Sequence, residues 1–245
     1  MGYIRRGFSR TKPVVRKIPK LILFTIFAFF ASTIFTVFLF RWLPIYATPL
    51  VILRSAEYAL SGKWVSINKN WVPLEEISPH LQKAVIASED PKFLEHRGFD
   101  FEAIARAIDT NKRRKVKVGA STISQQTAKN VFLYPSRTYV RKGLEVYFTV
   151  LIEALWDKKR ILEVYLNVIE LGPGVYGAEA ASKFYYKKPA KKLNLGEAQL
   201  FAAILPNPRR WSPTRPTNFV LRRRNFIRRN LNLMGNTYFK PLNSI

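Results

Sequence analysis

Residues Leu21 to Phe40 read LILFTIFAFFASTIFTVFLF, twenty consecutive residues without a charge, bounded by Lys20 and Arg41. At 1.5 Å rise per residue such a helix extends roughly 30 Å, the hydrocarbon thickness of a bilayer. A helix packed on a soluble domain keeps a polar face, and this stretch has none. It predicts a transmembrane helix. Before it stand Arg5, Arg6, Arg10, Lys12, Arg16, Lys17 and Lys20, with no acid among them. The positive-inside rule then makes residues 1–20 a basic cytoplasmic tail and 21–40 the span, and it puts the rest of the chain outside the cytoplasm. A cleaved signal peptide is the rival reading, but its apolar core is normally about 7–15 residues. An uncleaved signal anchor is expected.

Charge is the second constraint. Lysine and arginine number 41 against 16 acids, a net +25. A surplus of this size calls for an anionic partner: nucleic acid, anionic lipid or a phosphorylated substrate. An exported body meets no nucleic acid, which leaves lipid head groups or phosphate. The absence of cysteine excludes disulfides, zinc-thiolate sites and thiol nucleophiles. With His80 and His96 the only histidines, a multi-histidine metal site is excluded as well. An apolar content of 48% is enough for a sizeable core.

Beyond the span, residues 41–73 mix aromatics, Pro44 and Pro49 with room for a short helix, and read as a membrane-proximal linker. From residue 74 to 245 the pattern is helical. Ser78 and Pro79 open one helix, with Leu81, Ala84 and Val85 on its apolar side. Asp100 opens a second, with Phe101, Ile104, Ala105 and Ile108 at helical spacing. The basic run NKRRKVKVG (Asn111 to Gly119) then reads as a solvated loop. Ser121 or Thr122 opens a third helix that Pro135 ends, and Ser136 caps a fourth containing Val140, Leu144, Phe148, Leu151, Ile152 and Leu155. Asp157 caps a fifth, closed by Gly172. Asn194 with Glu197 forms a capping-box start for a sixth, stopped by Pro206 and Pro208. The one strand-like stretch is Lys63 to Ile67. The fold class is mainly α, in one domain.

Four clusters carry more polar chemistry than packing requires. In Ala87 to Asp100, adjacent Glu89 and Asp90 face about 100° apart on a helix and cannot both serve one site. The plainer reading makes Glu89 an exposed helix-end acid and His96 a satisfied loop histidine. Gly119 to Asn130 is rich in hydroxyl and amide groups suited to a sugar, or simply to a helix N-terminus. In Arg137 to Glu145, Arg141 and Glu145 are spaced i, i+4 and could merely pair on the surface, worth about 0.3 kcal/mol. In Lys158 to Leu193, the polar Asn167, Glu170 and Glu179 stand in apolar surroundings.

In order and spacing these clusters resemble the glycosyltransferase family of peptidoglycan polymerases, over about Leu74 to Pro213. The family's E-D-x-x-F-x-x-H-x-G is matched by Glu89, Asp90, Phe93, His96 and Gly98. Its G-G-S-T-I-[TS]-Q-Q-x-x-K-N is matched from Gly119 to Asn130, with Ala120 in place of the second glycine. A methyl there is costly if the backbone needs positive φ. Its R-K-x-x-E is Arg141, Lys142 and Glu145, and its I-L-E-x-Y-L-N is Ile161 to Asn167. The monofunctional branch fits best, because no transpeptidase region follows.

The resemblance implies a lysozyme-like helical domain behind one transmembrane helix, in the inner membrane. It also implies a reaction: the growing glycan is transferred from undecaprenyl pyrophosphate to the 4-hydroxyl of lipid II, with inversion. It makes Glu89 the general base and Glu145 a second essential carboxylate that orients cations. Lys129 and Arg137, with Arg106 and Arg141, would face the pyrophosphate, and Ser121, Gln126 and Asn130 would contact substrate oxygens. No cofactor is required, although a divalent cation could assist. Expected partners are lipid II, the growing strand, the membrane and other cell-wall synthesis proteins. The basic run Arg209 to Arg229 could rest on anionic head groups. Rival functions are a wall-cleaving hydrolase, which would not need the cation set, and a non-catalytic binder of wall precursor.

Overall fold

The computed structural model describes residues 18–62, 65–113, 119–136 and 138–243. It divides into two compact units, Met1–Leu39 and Phe40–Ile245. In the first, α1 (Ile18–Leu39) is long and apolar enough to cross a membrane. Leu23, Phe24, Phe27 and Phe35 stand exposed on it. The hydroxyls of Thr25 and Thr36 bond back to the carbonyls of Leu21 and Ser32, both at 2.8 Å. Such internal satisfaction is what a segment in hydrocarbon requires.

The second unit is mainly helical. Its helices are α2 (Pro49–Leu60), α3 (Pro79–Glu89), α4 (Phe101–Arg113), α5 (Ile123–Phe132), α6 (Tyr139–Leu155), α7 (Lys158–Val168), α8 (Ala178–Tyr186), α9 (Leu195–Ile204), α10 (Asn218–Tyr238) and α11 (Lys240–Asn243). Helices α3, α9 and α10 pack on one another, and α5 packs on α6 and α7. Most caps fall where the chain places them. Ser78 accepts from His80, Asp100 from Ala103, Asp157 from Arg160, and Asn194 and Thr122 form capping boxes with Glu197 and Gln125.

Several expectations need correction. The fourth helix is capped by Thr138, not Ser136. The fifth ends at Val168, and Gly172 lies in a strand. Helix α4 runs through Lys112 and Arg113, whose charges suit a helix C-terminus. The rest of the proposed basic loop, 114–118, lies outside the described residues. The stripe on α4 is not core either, since Phe101 and Ile108 are exposed. Of the strand-like stretch, Lys63 and Trp64 lie outside the described residues and Val65 to Ile67 form no strand. The strands are β1 (Asn68–Lys69), β2 (Glu170–Gly172) and β3 (Val175–Tyr176), in the order β1-β3-β2. β1 runs parallel and β2 antiparallel to β3. Strands of two or three residues are too short to display a period of two.

Helix α7 is the centre of this unit. Ile161, Leu162, Val164, Tyr165 and Leu166 are all buried, and its polar residues hold the incoming chain. Asn167 donates to Val72 O at 2.9 Å and accepts from Val72 N at 3.0 Å, while Glu163 accepts from Leu74 N. Arg160 donates to the carbonyls of Phe40 and Leu43 and lies over the Trp71 ring. The fourth sequence cluster is therefore largely a clamp. Glu179 joins it, accepting from Ala190 N at 2.7 Å and pairing with Lys183.

Candidate active site

Helix α3 stops at Glu89 because Asp90 leaves helical geometry (φ −157°, ψ 74°) and Pro91 follows. The last side chain of α3 therefore faces α5. Ser88 Oγ lies 3.0 Å from Glu89 Oε1, and Gln126 Nε2 donates to Glu89 Oε2 at 3.2 Å. The Tyr165 hydroxyl donates to Gln126 Oε1 at 3.3 Å, which fixes the way the amide points. Burial, reinforced by the charges of Glu89 and Asp90, pushes the Tyr165 phenol well above its ordinary value, so it remains a donor. From α10, Arg223 donates to Ser88 Oγ at 3.2 Å and to Ala203 O at 3.1 Å, and lies 3.6 Å from Glu89 Oε1.

Asp90 points elsewhere, as its position beside Glu89 requires. Its carboxylate accepts from Ile123 N at 2.9 Å and meets His96 Nε2 at 2.9 Å. Because His96 Nδ1 accepts from Gly98 N at 3.1 Å, the proton sits on Nε2 and is donated to Asp90. Gly98 O in turn accepts from Thr122 Oγ1 at 2.6 Å. Gly98 has φ +90°, and an added Cβ would meet Thr149 Cγ2 at 2.9 Å. Apart from Glu89, the first motif thus anchors the start of α5. Among the described residues Lys187 is the only non-glycine with positive φ. Ala120 is therefore accommodated without backbone strain.

Helix α5 sets Gln126, Lys129 and Asn130 on one face at i, i+3, i+4. They line a cavity of about 490 Å³ together with Arg141 of α6, Arg54 of α2, and Ile169 and Glu170. Glu145 sits behind Arg141, accepting from Arg141 at 2.6 Å and from Lys142 at 2.5 Å. The Arg141–Glu145 pair is no loose surface contact, since the Glu145 side chain is only 4% exposed and that of Arg141 14%. A carboxylate buried this deeply needs its cations, and it fixes them in turn. Burial lowers the pKa of Lys129. Glu145, and more weakly Glu89, oppose that shift, while Arg141 and Lys142 add to it. Lys129 is thus within electrostatic reach of both carboxylates.

A second cavity, of about 260 Å³, is lined by Glu89, Arg106 and Ser121 together with Asp90, Asp100 and Thr122. Arg106 is exposed and pairs with Glu102 at 3.3 Å. The Glu89–Gln126 hydrogen bond links the two cavities, Gln126 lining the first and Glu89 the second. The expected site residues therefore separate into two groups on either side of this bond: Arg106 and Ser121 with Glu89, and Lys129, Asn130 and Arg141 with Gln126. Glu145 backs the second group. Arg137 lies outside the described residues.

Sequence reasoning missed Arg223, whose signal was submerged in the basic run, and Tyr165, which reads as one more core aromatic. It also missed Arg54, which stands outside every motif. No group of three or more His, Asp or Glu side chains among the described residues is arranged to hold a metal ion. A carboxylate beside one cavity and fixed cations beside the next can accept a proton from a nucleophile and stabilise an anionic leaving group.

A family model described as Transglycosylase matches residues 58–232. The chain is 57% identical to a biosynthetic peptidoglycan transglycosylase of Bdellovibrio bacteriovorus, over 85% of this chain and 83% of the relative. It is 51% identical to one of Bacteroides thetaiotaomicron, over 91% and 88%. It is 45% identical to one of Pseudomonas syringae pv. syringae, over 94% and 97%. With the motif residues gathered around two adjoining cavities and relatives matched over nearly their whole lengths, the chain belongs to the transglycosylase family.

Proposed function

We propose that this protein is a peptidoglycan glycosyltransferase that polymerises lipid II into glycan strands. The observation that carries the reading is the Glu89–Gln126 bond between two cavities, with Lys129 and Arg141 on one side and Ser121 and Arg106 on the other. Lipid II as acceptor lies on the Glu89 side, and Glu89 takes the proton of its 4-hydroxyl. That oxygen attacks the anomeric carbon of the growing strand, forming the β-glycosidic bond as the bond to undecaprenyl pyrophosphate breaks. Charge gathers on the departing pyrophosphate, where Lys129 and Arg141, joined by Arg137, stabilise it. Arginine engages phosphate through two donors and lysine as a point charge. Asn130 hydrogen-bonds a substrate oxygen. Glu145 keeps Arg141 and Lys142 in place and is no nucleophile.

No cofactor is needed in this scheme, and a divalent cation, where present, would be carried by the pyrophosphate itself. Helix α1 anchors the chain in the inner membrane with its N-terminus cytoplasmic, and so confines enzyme and lipid-linked substrate to one surface. Exposed Phe101 and Ile108 of α4 offer further apolar surface to lipid. Other cell-wall synthesis proteins are natural partners at that surface.

Incubation of the full chain with fluorescent lipid II in detergent tests the reading. Polymerised glycan and released undecaprenyl pyrophosphate are expected. Shortening of preformed glycan, without polymer from lipid II, would instead identify a hydrolase.

A further inference from the structure

The larger cavity contains hydrogen-bonding groups that the protein itself leaves unmet. Arg54 of α2 and Arg141 of α6 both line it, and each keeps a buried Nε–H with no acceptor. Glu170 at the start of β2 also lines it, near enough to Arg54 to feel its charge, and keeps Oε1 buried with no donor. Arg54 is only partly engaged, its Nη1 pairing with Glu57 at 2.5 Å while the Glu57 side chain stays 55% exposed. Burial raises the Glu170 pKa, and the charges of Arg54 and Arg209 oppose that rise. A buried donor or acceptor without a partner is costly, so such groups mark where a ligand completes the bonding.

The required ligand is specified from both sides. The guanidinium groups need acceptors, which phosphate oxygens supply well. Glu170 needs a donor, a hydroxyl or an amide N–H. A bare polyanion satisfies the arginines and is repelled by Glu170, and a neutral sugar does the reverse. A glycosyl pyrophosphate has both features in adjacent groups.

We propose that Arg54 and Glu170 form a further substrate-contacting pair that reads the glycosyl pyrophosphate. Arg54 donates to its phosphate oxygens. Glu170 accepts from a hydroxyl or amide of the attached sugar and rejects lipids that are merely anionic. This rests on the proposed function for the identity of the substrate. Selectivity arises by difference, as a group that penalises the wrong ligand is as effective as one that attracts the right one.

Binding, rather than turnover, tests it. In the Glu89→Gln background, lipid II and farnesyl pyrophosphate would be titrated in detergent micelles against Arg54→Ala, Arg54→Lys and Glu170→Gln. Arg54→Ala is expected to weaken both ligands about tenfold, and Arg54→Lys to recover part of that loss. Glu170→Gln is expected to tighten farnesyl pyrophosphate and weaken lipid II, narrowing the gap between them about tenfold. Unchanged affinities in variants with the parent's thermal transition overturn the proposal, as does equal weakening of both ligands by Glu170→Gln. If Arg54→Ala fails to fold, Arg54→Lys and the near-isosteric Glu170→Gln decide the matter. The assignment of Glu89 as base is tested separately by turnover, so either can fail without the other.

Discussion

Gln126 donates its side-chain amide to Glu89 across 3.2 Å while accepting from the buried Tyr165 hydroxyl at 3.3 Å, so that the orientation of the Glu89 carboxylate is set from the core. Removing the amide frees the carboxylate to turn. Gln126→Ala is expected to lower kcat for glycan polymerisation by up to about a hundredfold with little change in thermal stability. Tyr165→Phe should act in the same direction more weakly. Steady-state kinetics on lipid II would check both.

Arg223 and Arg222 are neighbours in the basic run yet differ in placement. Arg223 reaches Ser88 and Ala203 behind Glu89, whereas Arg222 is exposed. Arg223→Ala is expected to reduce kcat about tenfold through a displaced Glu89. Arg222→Ala should leave kcat in detergent unchanged. Equal effects of the two would show that the run acts only as surface charge.

The lowered pKa of Lys129 has a consequence for the pH profile. A lysine holds its charge below its pKa, and burial moves that limit down from the ordinary 10.5. As pH rises, Lys129 therefore loses its charge earlier than an exposed lysine would, and in the proposed reaction the pyrophosphate then loses a stabilising cation. The alkaline limb of kcat/KM should fall at a lower pH than a free lysine would give. Lys129→Arg, which keeps its charge throughout, should move that limb upward.

Asn167 bonds Val72 in both directions within the core. Asn167→Ala leaves the Val72 N–H and C=O unmet and should destabilise the protein by about 1–3 kcal/mol. Thermal denaturation would measure this. Activity at low temperature should survive, because the contact lies in the clamp on residues 72–74 and not at the cavities.

Much of this was legible in the chain. The long apolar helix α1 follows from twenty chargeless residues, and the caps at Ser78, Asp100, Thr122, Asp157 and Asn194 follow from local chemistry that needs no tertiary context. Glu89 and Lys129 stand in recognisable motifs. What stayed hidden depends on distant residues meeting. Arg223 lies 135 positions from Ser88 in the chain, and its register within a run of arginines gives no sign that it reaches the residues behind Glu89. Helix α4 shows how periodicity can mislead. Its apolar spacing is real, but spacing records one-sidedness and does not say what covers that side. The polar residues of the fourth cluster also divide once the fold is known. Asn167 and Glu179 satisfy backbone groups, and Glu170 remains open to a cavity.

The most direct test of the central claim is the Glu89→Gln variant of the full chain, assayed with fluorescent lipid II in detergent. Lipid II should bind the variant with an affinity near that of the wild type, and glycan polymer should be absent because no carboxylate takes the proton of the 4-hydroxyl. Polymer formed at the wild-type rate would contradict the assignment of Glu89 as the base.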